Sequence, residues 1–472
     1  MSEKLHEECG IFGIYDKSNV TDVAAATYYG LYALQHRGQE SCGIAMNNDG
    51  EISCHRDMGL VNEVFTKDVL ESLGSGQMAL GHCRYATLAS RNRANAQPLL
   101  VRHIKGTMVV AHNGSLTNSA ELREKAELDG GIFHSTGDAE IIAYSITRAR
   151  KNANSIEDAV VEAMNELAGA YSIVIMSPKK LIAARDPMGF RPLCLGQMGD
   201  AYIFASESCA LDAIGATLIR DIKPGEVVVI DDKGVRSIQT HCGKGSGFCC
   251  FEYIYFARPD SVIEGSSVHI ARQRAGSFLA LEHPVQADVV IGVPDSGLDA
   301  ALGYAKQSGI PYGMGFLKNK YIGRTFIAPT QKQRENDVRI KLNPIAATVK
   351  DKRVVLIDDS IVRGTTSLKI VKLLREAGAK EVHMRLSSPP FLYPCYFGTD
   401  IDSRDKLIAY KHSIEEIGEI IGVDSIGFLG IDDLDKLADN TTCKMCNGCF
   451  TGKYPVDPPK KCAIKNKIND ND

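Results

Sequence analysis

Residues 354–366 read VVLIDDSIVRGTT: four apolar residues in a row, two carboxylates, and a Gly-Thr-Thr step that opens a helix-type pattern. An unbroken apolar run, as opposed to an alternating one, marks a strand buried on both faces, which requires a parallel sheet covered by helices. The same grammar recurs in ADVVIGVPDSG (287–297) followed by LDAALGYAKQSG (298–309), and in SLKIVKLLREAGAKEVHMRLSS (367–388). The C-terminal half is therefore expected to be α/β.

The N-terminal half is built differently. Short β-type runs closed by Gly or Asn, among them GIFGIYD (10–16), GTMVVAHNGSL (106–116) and GEVVVIDDKGV (225–235), predict antiparallel sheets. Helical stretches are expected at 138–150 and 155–168, capped by Asp138 and Ser155. This half reads as α+β. The glycine-rich CGKGSGFC (242–249) is the expected boundary, and 472 residues exceed what one hydrophobic core serves.

A net charge of −4 gives no broad footprint for nucleic acid or an acidic membrane, so small molecules are the expected partners. The polar opening MSEKLHEE lacks a secretory core and no apolar run is long enough to span a bilayer, so a cytoplasmic location is expected. Fourteen cysteines in that compartment point to catalysis, metal binding or burial, and not to disulfides.

In an open α/β sheet, ligands bind beyond the carboxyl ends of the strands. Backbone N–H groups at a helix N-terminus favour a phosphate there, Gly364 permits close approach, and Thr365 and Thr366 add hydroxyls. Asp358 and Asp359 suit ribose hydroxyls and Mg²⁺. The plainer alternative is a strand-to-helix turn with polar caps, since the P-loop lysine and the G-x-G-x-x-G pattern are both missing.

VVLIDDSIVRGTT closely resembles the phosphoribosyl pyrophosphate (PRPP) loop of type I phosphoribosyltransferases. The resemblance implies that Asp358, Asp359, Ser360, Arg363, Gly364, Thr365, Thr366 and Ser367 bind PRPP, that VPDSG (293–297) is the pyrophosphate turn, and that Ser296 joins Asp358 and Asp359 around Mg²⁺. Residues 318–344 would be a flap over PRPP.

EECGIFGI (7–14) in turn resembles the start of the glutaminase domain of amidophosphoribosyltransferases. That likeness implies an N-terminal nucleophile hydrolase whose leader, residues 1–8, is removed to expose Cys9. The chemistry is coherent: a thiol of pKa near 8.5 needs a base, and a free α-amine of pKa roughly 7.7–8.0 can serve where an amide nitrogen cannot. AHNGSL (111–116) offers Asn113 and Gly114 as oxyanion donors, GHCRYAT (81–87) offers Arg84 for the glutamine carboxylate, and STGDAE (135–140) offers Asp138 for its ammonium. RDPMGFRPL (185–193) and ASES (205–208) match the same family. Cys83 and Gly137 depart from its usual residues and put local substrate geometry in question. An internal Cys83 with a histidine base is a weaker reading, because GHCRY lacks the second glycine of a nucleophile elbow.

CKMCNGCFTGKYP (443–455) clusters thiols at two-residue spacing, which suits zinc or a [4Fe–4S] cluster. Resemblance to the iron–sulfur subgroup implies Cys249, Cys395, Cys446 and Cys449 as ligands, with Cys250 and Cys443 as neighbours able to substitute. Taken together the likeness implies a glutaminase domain over 9–241, a phosphoribosyltransferase domain over 242–459 and a polar tail over 460–472. It also implies a homotetramer inhibited by purine nucleotides, making 5-phosphoribosylamine from glutamine and PRPP. A catalytically silent PRPP sensor is the alternative, and the intact Cys9, Arg84, Asn113 and Asp138 set argues against it.

Overall fold

The computed structural model describes residues 9–85, 92–319, 341–399, 401, 403–441 and 443–459. The expected leader (1–8), most of the expected flap (320–340) and the polar tail (460–472) lie outside the described residues.

Two antiparallel sheets face each other in the N-terminal part. The seven-stranded one runs in the order Thr217–Asp221, Cys194–Met198, Ala201–Ala205, Gly10–Asp16, Met78–Arg84, Ser41–Asn48, Glu51–Met58. The six-stranded one runs Gly234–Ile238, Val227–Asp231, Leu181–Arg185, Ser172–Met176, Gly106–Asn113, Leu99–His103. Side chains from both inner faces, including Ile11, Leu80, Val109, Val174, Ala183 and Phe204, fill the space between them. Helix Val23–Ala33 covers the outer face of the first sheet. Helices Asp138–Ala149 and Ile156–Ala163 cover the second. Strand Gly10–Asp16 is buried along its whole length because it is covered on both faces, which explains why GIFGIYD reads as almost continuously apolar.

The C-terminal part is a parallel sheet in the order Val289–Gly292, Arg353–Asp358, Glu381–Leu386, Ser425–Phe428. Helices Val268–Glu282 and Gly297–Ser308 pack on one face, and Thr365–Glu376 and Ile414–Ile421 on the other. The first pair lies unusually close: a Cβ at Gly276 would sit 1.8 Å from the Ala300 carbonyl oxygen, and one at Gly303 would sit 1.8 Å from that of Gln273. Backbone cannot yield as a side-chain tip can. Gly303→Val is expected to cost ~3 kcal/mol or more through overpacking, read as a lower urea midpoint at unchanged slope.

Sequence periodicity and structure differ at one helix start. Ser155 caps Ile156–Ala163 as expected, with a reciprocal bond from Asp158. The helix expected to be capped by Asp138 is preceded by Gly137, and Asp138 is its first residue. The Asp138 carboxylate instead accepts the Leu116 N–H at 2.8 Å, tying the helix to the turn after Asn113.

Candidate functional site

Cys9 immediately precedes the central strand, whose Gly10 pairs with Cys83. Its thiol donates to the Tyr85 carbonyl at 3.9 Å, and Ser206 within ASES anchors the strand by accepting the Ile11 N–H at 2.9 Å. The tip of Met78–Arg84 abuts the tip of Gly106–Asn113, since the His82 imidazole bonds the His112 carbonyl at 3.0 Å. Cys9, Arg84 and Asn113 therefore share one end of the two facing sheets, and Asp138 reaches the same end through Leu116.

Asn113 is fully buried, yet neither Nδ2 nor Oδ1 has a hydrogen-bond partner among the described residues. A buried side-chain amide left so costs free energy unless a ligand uses it. Gly114, next in the chain, has φ +130°, and a Cβ there would stand 2.3 Å from the Ala170 carbonyl oxygen. Only glycine allows the chain to turn at this point with both an amide side chain and a backbone N–H available.

The other thiol and imidazole of this end are unsuited to nucleophilic work. Burial pushes Cys83 up to about 12, and its thiol donates to the Leu34 carbonyl at 3.3 Å. Burial pushes His82 down to about 3, so it is neutral at pH 7 and must donate through Nε2. Both are packing groups. A histidine-assisted Cys83 has no support in this geometry, and Cys83 sits where its small side chain fills the space above Gly10.

The second centre lies at the carboxyl ends of the parallel strands. Val293 N–H donates to the Ile357 carbonyl at 2.8 Å, so the turn after Val289–Gly292 lies beside Asp358 and Asp359. Ser296 Oγ donates to Asp359 Oδ1 at 2.6 Å and Ser360 Oγ to the other carboxylate oxygen, while the Asp359 N–H donates to Asp358. Gly364 has φ +83° and precedes helix Thr365–Glu376. The sequence-expected Ser296, Asp358 and Asp359 are thus brought together at the mouth of this helix, with Arg363, Thr366 and Ser367 following in the same loop and first turn. At the base of the expected flap (318–344), Phe316–Lys318 and Leu342–Pro344 pair as an antiparallel ribbon.

A third feature is a pocket lined by Cys249, Cys395, Cys446 and Cys449 together with Phe190, Phe251, Phe391, Phe397, Thr399 and Tyr454. Strand Phe248–Cys249 runs parallel to Met445–Cys446 with Cys249 opposite Cys446, and the Cys449 carbonyl accepts the Leu392 and Tyr393 N–H groups at 3.1 and 3.0 Å. Three distant segments meet here. Cys443 points elsewhere, its thiol 3.7 Å from Glu264, whereas Cys250, fully buried in the same core, lies near the pocket thiols without lining the pocket. Burial pushes Cys446 up to about 12, and Cys249 and Cys449 upward as well. Among the described residues no three His, Cys, Asp or Glu side chains converge closely enough to hold a single metal ion.

Comparison with known proteins agrees with this two-part construction. A family model described as a glutamine amidotransferase domain matches residues 82–213, and one described as a phosphoribosyl transferase domain matches 269–386. The amidophosphoribosyltransferase of Bacillus subtilis is 46% identical over 458 residues, covering 96% of this chain and 95% of the relative. That of Methanocaldococcus jannaschii is 46% identical over 464 residues, with 95% and 98% covered. The chain belongs to the amidophosphoribosyltransferase family. A solved glutamine PRPP amidotransferase from B. subtilis, complexed with ADP and GMP, superposes with a TM-score of 0.88 at 46% identity, covering 95% of this chain and 98% of that one. A second structure, titled as the allosteric regulatory enzyme of purine biosynthesis, gives 0.89 at 46% identity, with 96% and 97% covered. Among the described residues no helix is long and apolar enough to cross a membrane.

Sequence reasoning missed the buried charged network that reaches the Cys9 carbonyl through Arg37. Arg37, Glu207, Arg191 and Glu252 are almost wholly buried and mutually paired. Two of them stand inside stretches already noted for likeness, ASES and RDPMGFRPL, but partners up to 215 residues apart leave no periodic signal.

Proposed function

We propose that this chain carries out the first committed step of purine (IMP) biosynthesis: glutamine, PRPP and water give 5-phosphoribosylamine, glutamate and pyrophosphate. The observation that carries this reading is the buried Asn113 amide, without a hydrogen-bond partner among the described residues, at the strand tip shared with Cys9. In this reading the leader 1–8 is removed, residues 9–241 form the glutaminase domain and 242–459 the phosphoribosyltransferase domain.

The free α-amine of Cys9 takes the thiol proton, and the thiolate attacks the side-chain carbonyl carbon of glutamine. Asn113 Nδ2 and the Gly114 N–H stabilise the oxyanion. Collapse of that intermediate breaks the C–N bond, the proton passes to the leaving nitrogen, and ammonia departs. Water then cleaves the thioester to glutamate. Arg84 and Asp138 hold the substrate's carboxylate and ammonium. Ammonia crosses to the second centre and attacks C1 of the ribose as pyrophosphate leaves. Arg363 to Ser367 would hold the 5′-phosphate and Ser360 its approach, while Asp358 and Asp359 hold the ribose.

Asp358, Asp359 and Ser296 are oxygen donors of the kind a hard cation takes, and Mg²⁺ bound there would neutralise charge on the departing pyrophosphate. The donor set of the pocket, four thiols in an apolar shell, suits a [4Fe–4S] cluster better than zinc. A single zinc needs every sulfur at about 2.3 Å from one point, whereas a cubane takes thiolates spread around it. Its role here would be to clamp three segments together. A homotetramer, regulated by purine nucleotides and located in the cytoplasm, completes the proposal.

PRPP-dependent release of glutamate from glutamine tests the reaction directly, and its absence from matured, anaerobically handled protein would overturn it. Asn113→Ala is expected to lower glutamine-dependent kcat by about 10²–10³-fold, with ammonia-dependent synthesis retained. Parallel steady-state assays with the two nitrogen donors check this.

A further inference from the structure

Arg37 lies in LQHRGQES, just after helix Val23–Ala33. Its Nε donates to the main-chain carbonyl of Cys9 at 3.0 Å. Nη1 and Nη2 donate to the two oxygens of Glu252 at 2.9 and 2.8 Å, and Nη1 also reaches Glu207 Oε1 at 2.6 Å. Arg191 adds a longer contact to Glu252 at 3.4 Å and donates to the Phe397 carbonyl at 2.8 Å.

Two guanidinium groups face two carboxylates, with the His36 imidazole also 2.7 Å from Glu207, and none of the four charged groups is more than 1% exposed. Such a group contributes little net stability compared with an apolar core of the same shape, but removing one member leaves an uncompensated buried charge. What it does provide is a fixed geometry. A bidentate pairing holds the guanidinium plane, and the third nitrogen of that plane is aimed at Cys9.

Glu252 belongs to the other half of the chain. It opens the π-helical turn Glu252–Phe256, three residues after Cys249. The nucleophile's own carbonyl is therefore held by an arginine whose orientation is set from across the proposed domain boundary.

We propose that Glu252 is a positioning residue for the glutaminase reaction, acting through Arg37 to keep the α-amine and thiol of Cys9 in register with the oxyanion donors. This rests on the reading of Cys9 as the nucleophile. A displacement of about 1 Å in a reacting group can cost roughly 100-fold in rate.

The test compares the parent holoenzyme with Glu252→Gln and with the charge-balanced Arg191→Met/Glu252→Gln. Glutamine-dependent and ammonia-dependent synthesis are measured, along with the rate at which a diazoketone analogue of glutamine labels Cys9. Both variants are expected to lose about 100-fold in glutamine kcat/KM and in labelling rate, with ammonia-dependent synthesis within twofold of the parent. The double variant should also melt nearer the parent than the single one, and it carries the test if the single variant does not fold. Parental labelling rates in the double variant, or an equal fall with both nitrogen donors, would overturn the proposal. A parent that is not labelled at Cys9 at all would instead overturn the nucleophile assignment on which it rests.

Discussion

Cys9→Ala abolishes glutamine-dependent synthesis, by at least 10⁴-fold on the scale of other nucleophile deletions, and leaves synthesis from ammonia intact. The two outcomes separate because the centres are built on different sheets. Cys9 stands at the end of the central strand of an antiparallel sheet, while Ser296, Asp358 and Asp359 stand at the ends of parallel strands. Alanine removes the sulfur, and with it the long 3.9 Å bond to the Tyr85 carbonyl, without adding bulk. Steady-state assay with each nitrogen donor, on protein whose leader removal has been verified by mass, checks the prediction. Loss of both activities would show that the roles are misplaced. Retention of both would show that another nucleophile works, and neither Cys83 nor His82 is suited to serve.

Removal of the proposed [4Fe–4S] centre is expected to have the second largest effect, and on stability first. Cys249, Cys395 and the pair Cys446 and Cys449 belong to segments separated by up to about two hundred residues, and a common metal centre would cross-link them. Thiolate–metal sites contribute on the order of 10 kcal/mol to folding, comparable to the whole stability of a domain. Cys446→Ser is therefore expected to yield protein that is insoluble, or that has lost both activities together. Metal analysis of the parent should find about four irons and four sulfides per chain. Stoichiometric zinc would overturn the assignment. The pH dependence has a defined sign: burial holds the Cys249, Cys446 and Cys449 thiols protonated, with Cys446 pushed up to about 12, so assembly of a thiolate-ligated centre would release protons and grow weaker as pH falls.

Much of this was legible in the chain itself. The continuous apolar run before Asp358 required a strand covered on both sides, and the structure places it second in a parallel sheet between two helical layers. The short β-type runs closed by Gly or Asn in the N-terminal half pointed to antiparallel strands, and the sheets there are antiparallel. Several of the residues singled out by resemblance, among them Arg84, Asn113, Asp138 and Asp358, sit at element ends, where a strand stops or a helix begins and where turn chemistry leaves a local signature. Asp138 shows the limit of such reading: a capping pattern is local, but the bond its carboxylate makes is to Leu116, 22 residues earlier.

Sequence alone determined which elements form and which backbone ends present donors, since these depend on periodicity and on residues a few positions apart. The resemblance had already named Cys249, Cys395, Cys446 and Cys449, but only the tertiary structure showed that they line one pocket, that the Cys443 thiol faces Glu264, and that Arg37 meets Glu252. Those outcomes depend on how sheets and helices stack, and burial of charge in balanced pairs is a property of the packed whole that no short window of residues contains.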